Sequence, residues 1–399
     1  MVKKRRKLRK KGRLIFIILL CGVLGYFSFD YFYHKNDVEV TPEEPVVEEE
    51  KIVELDFDAS LFMVGDALIH SSVYEDARQE DGTYNFVPML AAIKPTSSKY
   101  DLAYYNQETV LGGTEIGLSN YPRFNSPYEV GDAFIDAGFN MVSLATNHTM
   151  DRGEIGVLNS VQYWKSKGDL IAASGQWSSY EERSESVAKV YSVNGINYAF
   201  ISYTIWNNGL STPYDKDYLN NEYSPEKAAL DIASVRDKVD FVIVAMHWGT
   251  EYSFRVDYKQ EEIAQYLSSL GVDLIIGAHP HVVQTAEYIN DGKTFVIYSL
   301  GNFISDQNDV DNFTGLAFEV TLHKHVDLEG NVTHSVINPK AELIYTTTSM
   351  RRGVNHDFKV VFYPQLNDSL LRNYLGYYDE YRTVVNERFP DLVWGLTWE

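Results

Sequence analysis

Ile275-Ile276-Gly277-Ala278-His279-Pro280-His281 is the stretch of sequence around which the fold and its chemistry are organised. The apolar run that begins at Asp273 predicts a buried strand, and the two histidines follow at its carboxyl end, where α/β proteins place their ligands. Two imidazoles at positions i and i+2 of an extended chain point the same way, so they could bind one cation or two neighbouring ones. A single His-x-His pair is weak evidence, and the other ligands must come from elsewhere in the chain.

Four other predicted strands end in side chains of the kinds that bind metal ions. They are Leu61 to Val64, followed by Asp66; Tyr100 to Tyr105, followed by Asn106 and Glu108; Met141 to Ala145, followed by Asn147, His148 and Asp151; and Phe241 to Ala245, followed by His247. Each residue alone has an ordinary explanation, because aspartates cap helices and turns and buried histidines are usually just hydrogen-bonded. Together they form the mixed oxygen and nitrogen set that suits two divalent ions such as Mn, Fe or Zn.

Predicted helices alternate with these strands. They cover residues 127 to 138, 155 to 167, 224 to 239 and 258 to 270, and the third begins with a serine cap followed by a proline. A hairpin is predicted over residues 186 to 204, turning at Asn194-Gly195. Beyond His281 we expect strands around 313 to 322 and 332 to 346 to complete a second sheet. A surface helix over 366 to 388 follows, with tyrosines that cover the core.

The amino terminus predicts a membrane anchor. Nine of the first thirteen residues are Lys or Arg, Leu14 to Phe29 carries no charge, and further aromatic residues follow, so residues 14–33 approach the length of about 20 residues that spans a bilayer. The positive-inside rule then places residues 1–13 in the cytoplasm and the main domain outside the cell, as a single-pass protein of the cell membrane. A cleaved signal peptide and a lipoprotein are the competing interpretations. The apolar run is followed by no small-x-small cleavage site, and a bulky Leu20 precedes Cys21.

The charge of the chain excludes a nucleic-acid-binding protein, and its cysteine content excludes a fold held by internal disulfides. Residues 14–399 retain 26 of the 35 Lys and Arg residues and all 56 acidic residues, a net charge of −30. Nucleic acid is therefore excluded as a partner, because no basic face is available to displace phosphate counterions. Cys21 is the single cysteine, so the fold contains no intramolecular disulfide. Residues 34–56 are acidic and contain two prolines, which predicts a solvated linker between the anchor and the main domain.

Six motifs give the chain a family resemblance. In order they are GD at 65, NQE at 106, ATNHTMDRG at 145, HWGTEY at 247, GAHPHVVQ at 277 and SLGNF at 299. This order resembles the CapA/PgsA-type capsule (poly-γ-glutamate) biosynthesis proteins, a branch of the calcineurin-like metallophosphoesterases. The resemblance implies an α/β fold, a four-layer α/β/β/α sandwich with a dinuclear metal site, whose core covers residues 57–305. Residues 306–399 would complete or flank that domain.

The resemblance also implies a role for each motif residue. Asp66, Glu108 and His281 would bind the first metal, with Glu108 as the bridging ligand, and Asn147, His247 and His279 would bind the second. His148 would be the catalytic histidine on the leaving-group side, oriented by Asp151. Water activated by the metals would attack phosphorus in line. The further motif residues that could contact substrate are Asn106, Trp248, Glu251, Tyr252, Gln284 and Asn302, although Trp248 and Asn302 also suit packing and turn positions.

One departure from the family pattern weakens the first metal site. Most enzymes of the superfamily open with Asp-x-His, whereas this chain has Asp66-Ala67-Leu68, and His70 is out of register to replace the missing imidazole. Asn106 or a water could complete the site, or the site holds one ion.

Two functions follow from the sequence. The first is a surface-anchored, metal-dependent phosphoesterase-type hydrolase that acts on an envelope component. The second is a non-catalytic factor for assembly, export or anchoring of an anionic capsule polymer such as poly-γ-glutamate, working beside membrane-bound synthase subunits. The acidic exterior would repel such a polymer from most of the surface, so binding would be local, through metal or a basic patch such as Arg351-Arg352.

Overall fold

The described part of the chain comprises residues 54–168, 171–307 and 309–396 of a computed structural model. The predicted tail, the predicted anchor and all but the last three residues of the predicted linker lie outside these ranges. Within the described ranges, no helix combines the length and the hydrophobicity that crossing a membrane requires.

Two mixed sheets form the centre of the fold. The strands are β1 (Leu55–Ala67), β2 (Leu102–Asn106), β3 (Met141–Ser143), β4 (Ala172–Ser174), β5 (Tyr191–Val193), β6 (Ile196–Thr204), β7 (Phe241–His247), β8 (Leu274–Ala278), β9 (Ala286–Ile289), β10 (Thr294–Ile297), β11 (Asn302–Ile304), β12 (Thr314–Val326), β13 (Val332–Arg351), β14 (Val354–Phe362) and β15 (Val393–Trp394). The first sheet has the order β14-β13-β12-β1-β2-β3-β4, with β11 beside β1 and β15 beside β13, and the second has the order β5-β6-β7-β8-β10-β9.

Most helices cover the outer faces of the two sheets, whereas the last two pack against the core between the sheets. They are α1 (Ser71–Ala77), α2 (Val87–Leu90), α3 (Lys94–Ser97), α4 (Glu129–Asp136), α5 (Gly153–Ser166), α6 (Tyr180–Val187), α7 (Pro225–Val235), α8 (Tyr258–Ser269), α9 (Val310–Phe313) and α10 (Tyr374–Val385). The predicted cap of α7 is confirmed, because the Ser224 hydroxyl accepts a hydrogen bond from the Lys227 backbone N–H at 3.1 Å.

The alternation of side chains along the strands defines the layers. In β1, Leu61 and Met63 enter a core shared with Ile243 of the second sheet, so this core lies between the sheets. Phe62, one residue from each of them, faces the opposite way, into a core with residues of the helices α1, α2, α4 and α5. Val244 of β7 likewise faces α7 and α8 on the outside of the second sheet. The order of layers is therefore helices, sheet, sheet, helices, as predicted.

The carboxyl ends of parallel strands meet at one end of the sandwich. In the first sheet β1, β2, β3 and β4 run parallel, and in the second β6, β7, β8 and β10 do the same. Asp66, Asn106, His247 and Ala278 lie at or next to the ends of four of these strands. Loops that carry ligand-type side chains in both sheets therefore reach the same region.

The strands after residue 313 correct one prediction. They do not complete a second sheet: β12 pairs antiparallel with β1, and β13 and β14 continue outward from it in the first sheet. The reason is the length of β1, which begins at Leu55 rather than at residue 61 and offers its whole edge to β12. The carboxyl-terminal segment thus supports the strand that carries Asp66.

Gly277 allows the strand end at His279 to approach its neighbour. A Cβ atom at this position would lie 1.9 Å from the Tyr298 carbonyl oxygen and 2.7 Å from the Trp248 indole nitrogen. We expect Gly277→Ala to lower the free energy of unfolding by about 3 kcal/mol, because rigid backbone has to move. Gly330→Ala is the comparison, since nothing lies near its Cβ and only its φ of +81° costs about 1 kcal/mol. Equal losses in urea unfolding for the two variants would contradict the close approach at Gly277.

Candidate metal centre

Asp66 is held in place on both carboxylate oxygens. It is fully buried at the end of β1, where Asn106 Nδ2 donates to its Oδ1 at 2.9 Å and the His279 backbone N–H donates to its Oδ2 at 3.2 Å. Asn106 is positioned in turn by Ser143 Oγ, which donates to Asn106 Oδ1 at 2.5 Å. Asn106 was predicted as a possible ligand of the first metal. From β2 it instead holds the Asp66 carboxylate of β1 in place.

Glu108, from the loop after β2, lies close to two histidines of the second sheet, and both of its oxygens are unpaired among the described residues. The carboxylate is completely buried, and neither oxygen has a hydrogen-bond partner among the described residues. Its Oε1 is 3.8 Å from His247 Nε2 and 3.6 Å from His281 Nε2. Burial raises the pKa of Glu108 well above its usual range, and the charge of His281 opposes this rise. Burial of a carboxylate without a hydrogen-bond partner costs free energy, and a cation bound to Glu108 would offset that cost.

His279 also has unpaired polar atoms. Both ring nitrogens are buried and lack a partner in the described chain, and the ring lies 4.7 Å from that of His247, between centroids. Burial, and then the neighbouring imidazoles, lower the pKa values of His247 and His279 well below the usual range. The backbone of His279 has a φ of +97°, a strained conformation that is typical of functional sites. The lowered pKa values favour neutral rings, which offer lone pairs to a cation.

His281 is oriented by Asn302. Its Nδ1 is 3.0 Å from Asn302 Oδ1 and 3.3 Å from Asp66 Oδ2, so Nδ1 carries a hydrogen, and Nε2 is directed to Glu108. The Asn302 amide is held in place in turn. Its Nδ2 hydrogens are shared among three acceptors: Ser305 Oγ, Gln307 Oε1 and the Asn312 carbonyl oxygen. Burial alone would lower the pKa of His281, but Glu108 and Asp66 outweigh it and raise that pKa to about 9.

Among the residues that the structure describes, three overlapping groups of side chains could hold a metal ion. They are Asp66, Glu108 and His281; Glu108, His247 and His279; and Glu251, His279 and His281, with the ligand atoms of each group within 4.8 Å of one another. The first two groups contain residues that the resemblance assigns to the first and the second metal. Asn147 adjoins the second group, because its Oδ1 is 3.0 Å from His247 Nε2. The unpaired atoms of Glu108 and His279 show that this donor set fits a divalent cation.

His148 and Asp151 form a buried pair beside these groups. His148 Nδ1 is 2.7 Å from Asp151 Oδ2, which also accepts the Phe124 backbone N–H at 2.6 Å. Phe124 packs edge-on against the imidazole with a centroid distance of 4.8 Å. The carboxylate thus places the hydrogen on Nδ1 and leaves Nε2 for a ligand.

A cleft of about 790 Å³ opens over this region. His148, His281, Glu251 and Tyr252 line it, as do several residues that the motifs did not indicate: His70, Tyr121, Arg123, Phe124, Asn208 and Leu210. Asn208 has direct contacts with the site, since its Oδ1 accepts from Asn147 Nδ2 at 3.3 Å. No spacing in the sequence connects residue 208 to residue 147, so only the fold reveals this contact.

Four of the predicted substrate contacts do not line the cleft: Asn106 and Asn302, which contact Asp66 and His281 instead, and Trp248 and Gln284. Trp248 is completely buried in the core outside the second sheet, where its indole nitrogen donates to the Tyr298 carbonyl at 2.9 Å. Gln284 is equally buried and donates to the Ser253 and Arg255 carbonyl oxygens, which fixes the loop after β7. The polar atoms of Trp248 and Gln284 are hydrogen-bonded within the protein, so neither side chain is placed to contact a substrate.

Substitution of Asn302 tests the orientation of His281. We expect Asn302→Ala to weaken Mn²⁺ or Zn²⁺ binding about 10- to 100-fold, because the imidazole loses the acceptor that sets its tautomer and angle. Isothermal titration of the purified chain would measure the change. Asn386→Ala is the matched control, since that amide accepts a hydrogen bond from Trp394 instead. Unchanged metal affinity in Asn302→Ala would contradict the positioning role.

The fold and the site define a four-layer α/β protein with a buried histidine and carboxylate centre of the kind that holds divalent metals. A family model described as bacterial capsule synthesis protein PGA_cap matches residues 60–307, which is more than half of the chain. The chain therefore belongs to this family of bacterial capsule synthesis proteins, and the family predicted from the motifs is confirmed.

Two curated relatives have related names. The chain is 26% identical over 260 residues to the capsule biosynthesis protein CapA of Bacillus anthracis, a match that covers 62% of this chain and 60% of that protein. It is 30% identical over 174 residues to the PGA biosynthesis protein CapA of Bacillus subtilis (strain 168), covering 43% of this chain and 44% of that protein. Each match thus spans less than two thirds of the relative.

Among solved structures, a hypothetical protein from Thermus thermophilus aligns with a TM-score of 0.40 and 15% identity, covering 71% of this chain and 98% of that one. Purple acid phosphatase PPD1 from yellow lupin seeds aligns with a TM-score of 0.36 and 11% identity, covering 71% of this chain and 53% of that one. Both likenesses are distant.

Proposed function

We propose that this chain is a membrane-anchored, extracellular protein of capsule or poly-γ-glutamate biosynthesis with a calcineurin-like, metal-dependent phosphoesterase site. The observation that carries the proposal is the pair of buried side chains, Glu108 and His279, whose polar atoms have no partner in the described chain. Buried polar groups are almost always hydrogen-bonded, so unpaired polar atoms on both of these residues indicate a ligand-binding site. Two such residues within one group of candidate ligands favour a cation.

The proposed metal is one or two ions of Mn, Fe or Zn. Asp66, Glu108 and His281 would hold one, and Glu108, Asn147, His247 and His279 the other. A bound ion would act as a Lewis acid on a phosphoryl oxygen and lower the pKa of water. Glu251 belongs to the third group with His279 and His281, so it would be an additional oxygen ligand from the open side of the cleft.

The protein's own contribution is proton transfer and orientation. With Nδ1 engaged by Asp151, the Nε2 atom of His148 would exchange a proton with the leaving group. Phe124 restricts the imidazole to one plane and shields one side of it from water. The backbone of His279 and the amides of Asn106 and Asn302 keep the ligand side chains in place before any substrate binds.

Metal analysis of the purified full chain tests the proposal. We expect about two Mn²⁺ or Zn²⁺ ions per chain and metal-dependent cleavage of an activated phosphodiester such as bis(4-nitrophenyl) phosphate. A chain that binds neither ion after equilibrium dialysis would overturn the metal site. A chain that binds metal but does not cleave the diester would overturn the hydrolase.

A non-catalytic role in polymer assembly, export or anchoring is the second candidate. Leu68, buried at the cleft, occupies the position where most related enzymes have an imidazole ligand, and this departure favours a weakened metal site. The partners would then be the anionic polymer and membrane-bound synthase subunits. In a deletion strain that lacks capsule, full rescue by a His279→Ala/His281→Ala variant would support assembly over hydrolysis, and failure of rescue would support the metal-dependent role.

A further inference from the structure

A short loop from residue 119 to residue 125 forms one wall of the cleft. Ser119 and Asn125 pair as an antiparallel bridge, and a turn between them is closed by donation from the Arg123 backbone N–H to the Asn120 carbonyl at 3.2 Å. The buried Asn125 side chain fastens the base of the loop, because it accepts from the Gly112 N–H and donates to the Gly113 and Gly117 carbonyls. The loop is thus a positioned element rather than a free connection.

The same loop is attached to the His148 and Asp151 pair. The Phe124 backbone N–H donates to Asp151, and the Phe124 ring contacts His148. Arg123 is the preceding residue, it is exposed, and it lines the cleft together with His148. Arg123 therefore lies on the wall of the cleft, one residue before the ring that contacts the proposed proton-transfer residue.

Arg123 differs in charge and pairing from its surroundings. Among the described residues that line the cleft it is the only Lys or Arg, whereas Glu251, Asp306, Asp309 and Asp311 supply negative charge. Arg183 and Arg236, by contrast, are paired with Asp231 and Asp273, both at 2.6 Å. Within the described ranges, no side-chain hydrogen bond or ion pair of Arg123 is found. An unpaired guanidinium in so acidic a cleft is available to an anion from outside.

We infer that Arg123 forms an oxyanion subsite that binds a carboxylate or phosphate group of the substrate next to the reacting bond. This inference rests on the proposed function for the identity of the reacting bond, and on the loop geometry for the subsite itself. A guanidinium donates two parallel hydrogen bonds to a carboxylate or phosphate, which sets orientation as well as charge. The acidic neighbours would reject anions that cannot reach Arg123, so the subsite also selects the substrate.

Phosphate binding by the metal-free full chain tests the subsite without any reaction. In isothermal titration with inorganic phosphate, we expect Arg123→Ala to weaken binding about tenfold or more. Arg123→Lys should weaken binding less, because lysine keeps the charge but cannot donate two parallel hydrogen bonds. Arg372→Ala, an exposed arginine outside the cleft, is the matched control and should bind like the wild type. Equal affinity of wild type and Arg123→Ala, or no saturable binding by the wild type, would overturn the inference.

Two further measurements identify the anion and separate this inference from the proposed function. A γ-linked glutamate trimer that binds more tightly than phosphate, with the same dependence on Arg123, would assign the subsite to polymer carboxylates; the reverse order would assign it to phosphate.

With Mn²⁺ present, Arg123→Ala should raise KM for the diester more than it lowers kcat. If the chain cleaves no diester but phosphate binding still depends on Arg123, the hydrolase fails and the subsite stands. If the chain cleaves the diester but KM and phosphate binding are both unchanged in Arg123→Ala, the subsite fails and the hydrolase stands.

Discussion

The double variant His279→Ala/His281→Ala is expected to lose metal binding almost completely, with affinity for Mn²⁺ or Zn²⁺ falling by more than about 100-fold. The reason is that these two histidines supply at least one ligand to each of the three candidate groups. Their removal leaves Asp66 and Glu108 as buried carboxylates without an adjacent imidazole from the loop after β8. Metal content after equilibrium dialysis, measured by mass spectrometry, would record the loss.

The chain contains a matched control for this variant. His323 and His325 have the same i, i+2 spacing on β12, but they are only partly buried and contact Asp58 and Asp56. His323→Ala/His325→Ala should keep its full metal content. Because His279 and His281 are buried, thermal unfolding without metal has to show that the double variant is folded, and the single variant His279→Asn provides a milder change. A folded double variant that still binds two ions would contradict the site.

His148→Ala is expected to reduce diester hydrolysis by about 10²- to 10⁴-fold while the bound metal remains. His148 belongs to none of the three candidate groups, yet its imidazole lines the cleft beside them. Asp151→Asn should cause a smaller loss, because the amide oxygen can still accept the Nδ1 hydrogen but supplies no charge. Steady-state kinetics and metal analysis of the same preparations would separate the two effects.

His334→Ala is the control for the loss of one imidazole. That histidine contacts Asp273 and the Phe241 ring, outside the cleft. Its hydrolysis rate should match that of the wild type. If His148→Ala retains both metal and full activity, the histidine has no part in the reaction, and the assembly role gains support.

Much of the fold could be predicted because its signals are local. The strand before Asp66, the strand before His247 and the cap at Ser224 are each encoded within a few neighbouring residues, and each is present in the structure. The extent of β1 and the pairing of β12 with it were missed. Strand pairing depends on which edge is free in the finished sheet, and this is not encoded within either strand.

The site was predicted less evenly than the fold. The motifs indicated Asp66, Glu108 and the histidines, because strand ends in an α/β fold converge. They could not show that Trp248 points into the outer core or that Asn302 serves His281. They also gave no sign of Arg123 and Asn208, whose loops have no ligand-type pattern of their own.

By itself, the sequence determined the family, the alternation of strands and helices, the acidic character and the set of side chains available to bind a metal. These properties follow from residue types and short spacings. Only the tertiary structure decided that Glu108 and His279 have no partner in the described part of the chain and that Glu251 joins two histidines. It also decided that Arg123 is the single Lys or Arg among the described residues of an acidic cleft. The physical reason is that hydrogen-bond pairing and burial depend on loops that are far apart in the chain and meet only when the two sheets pack together.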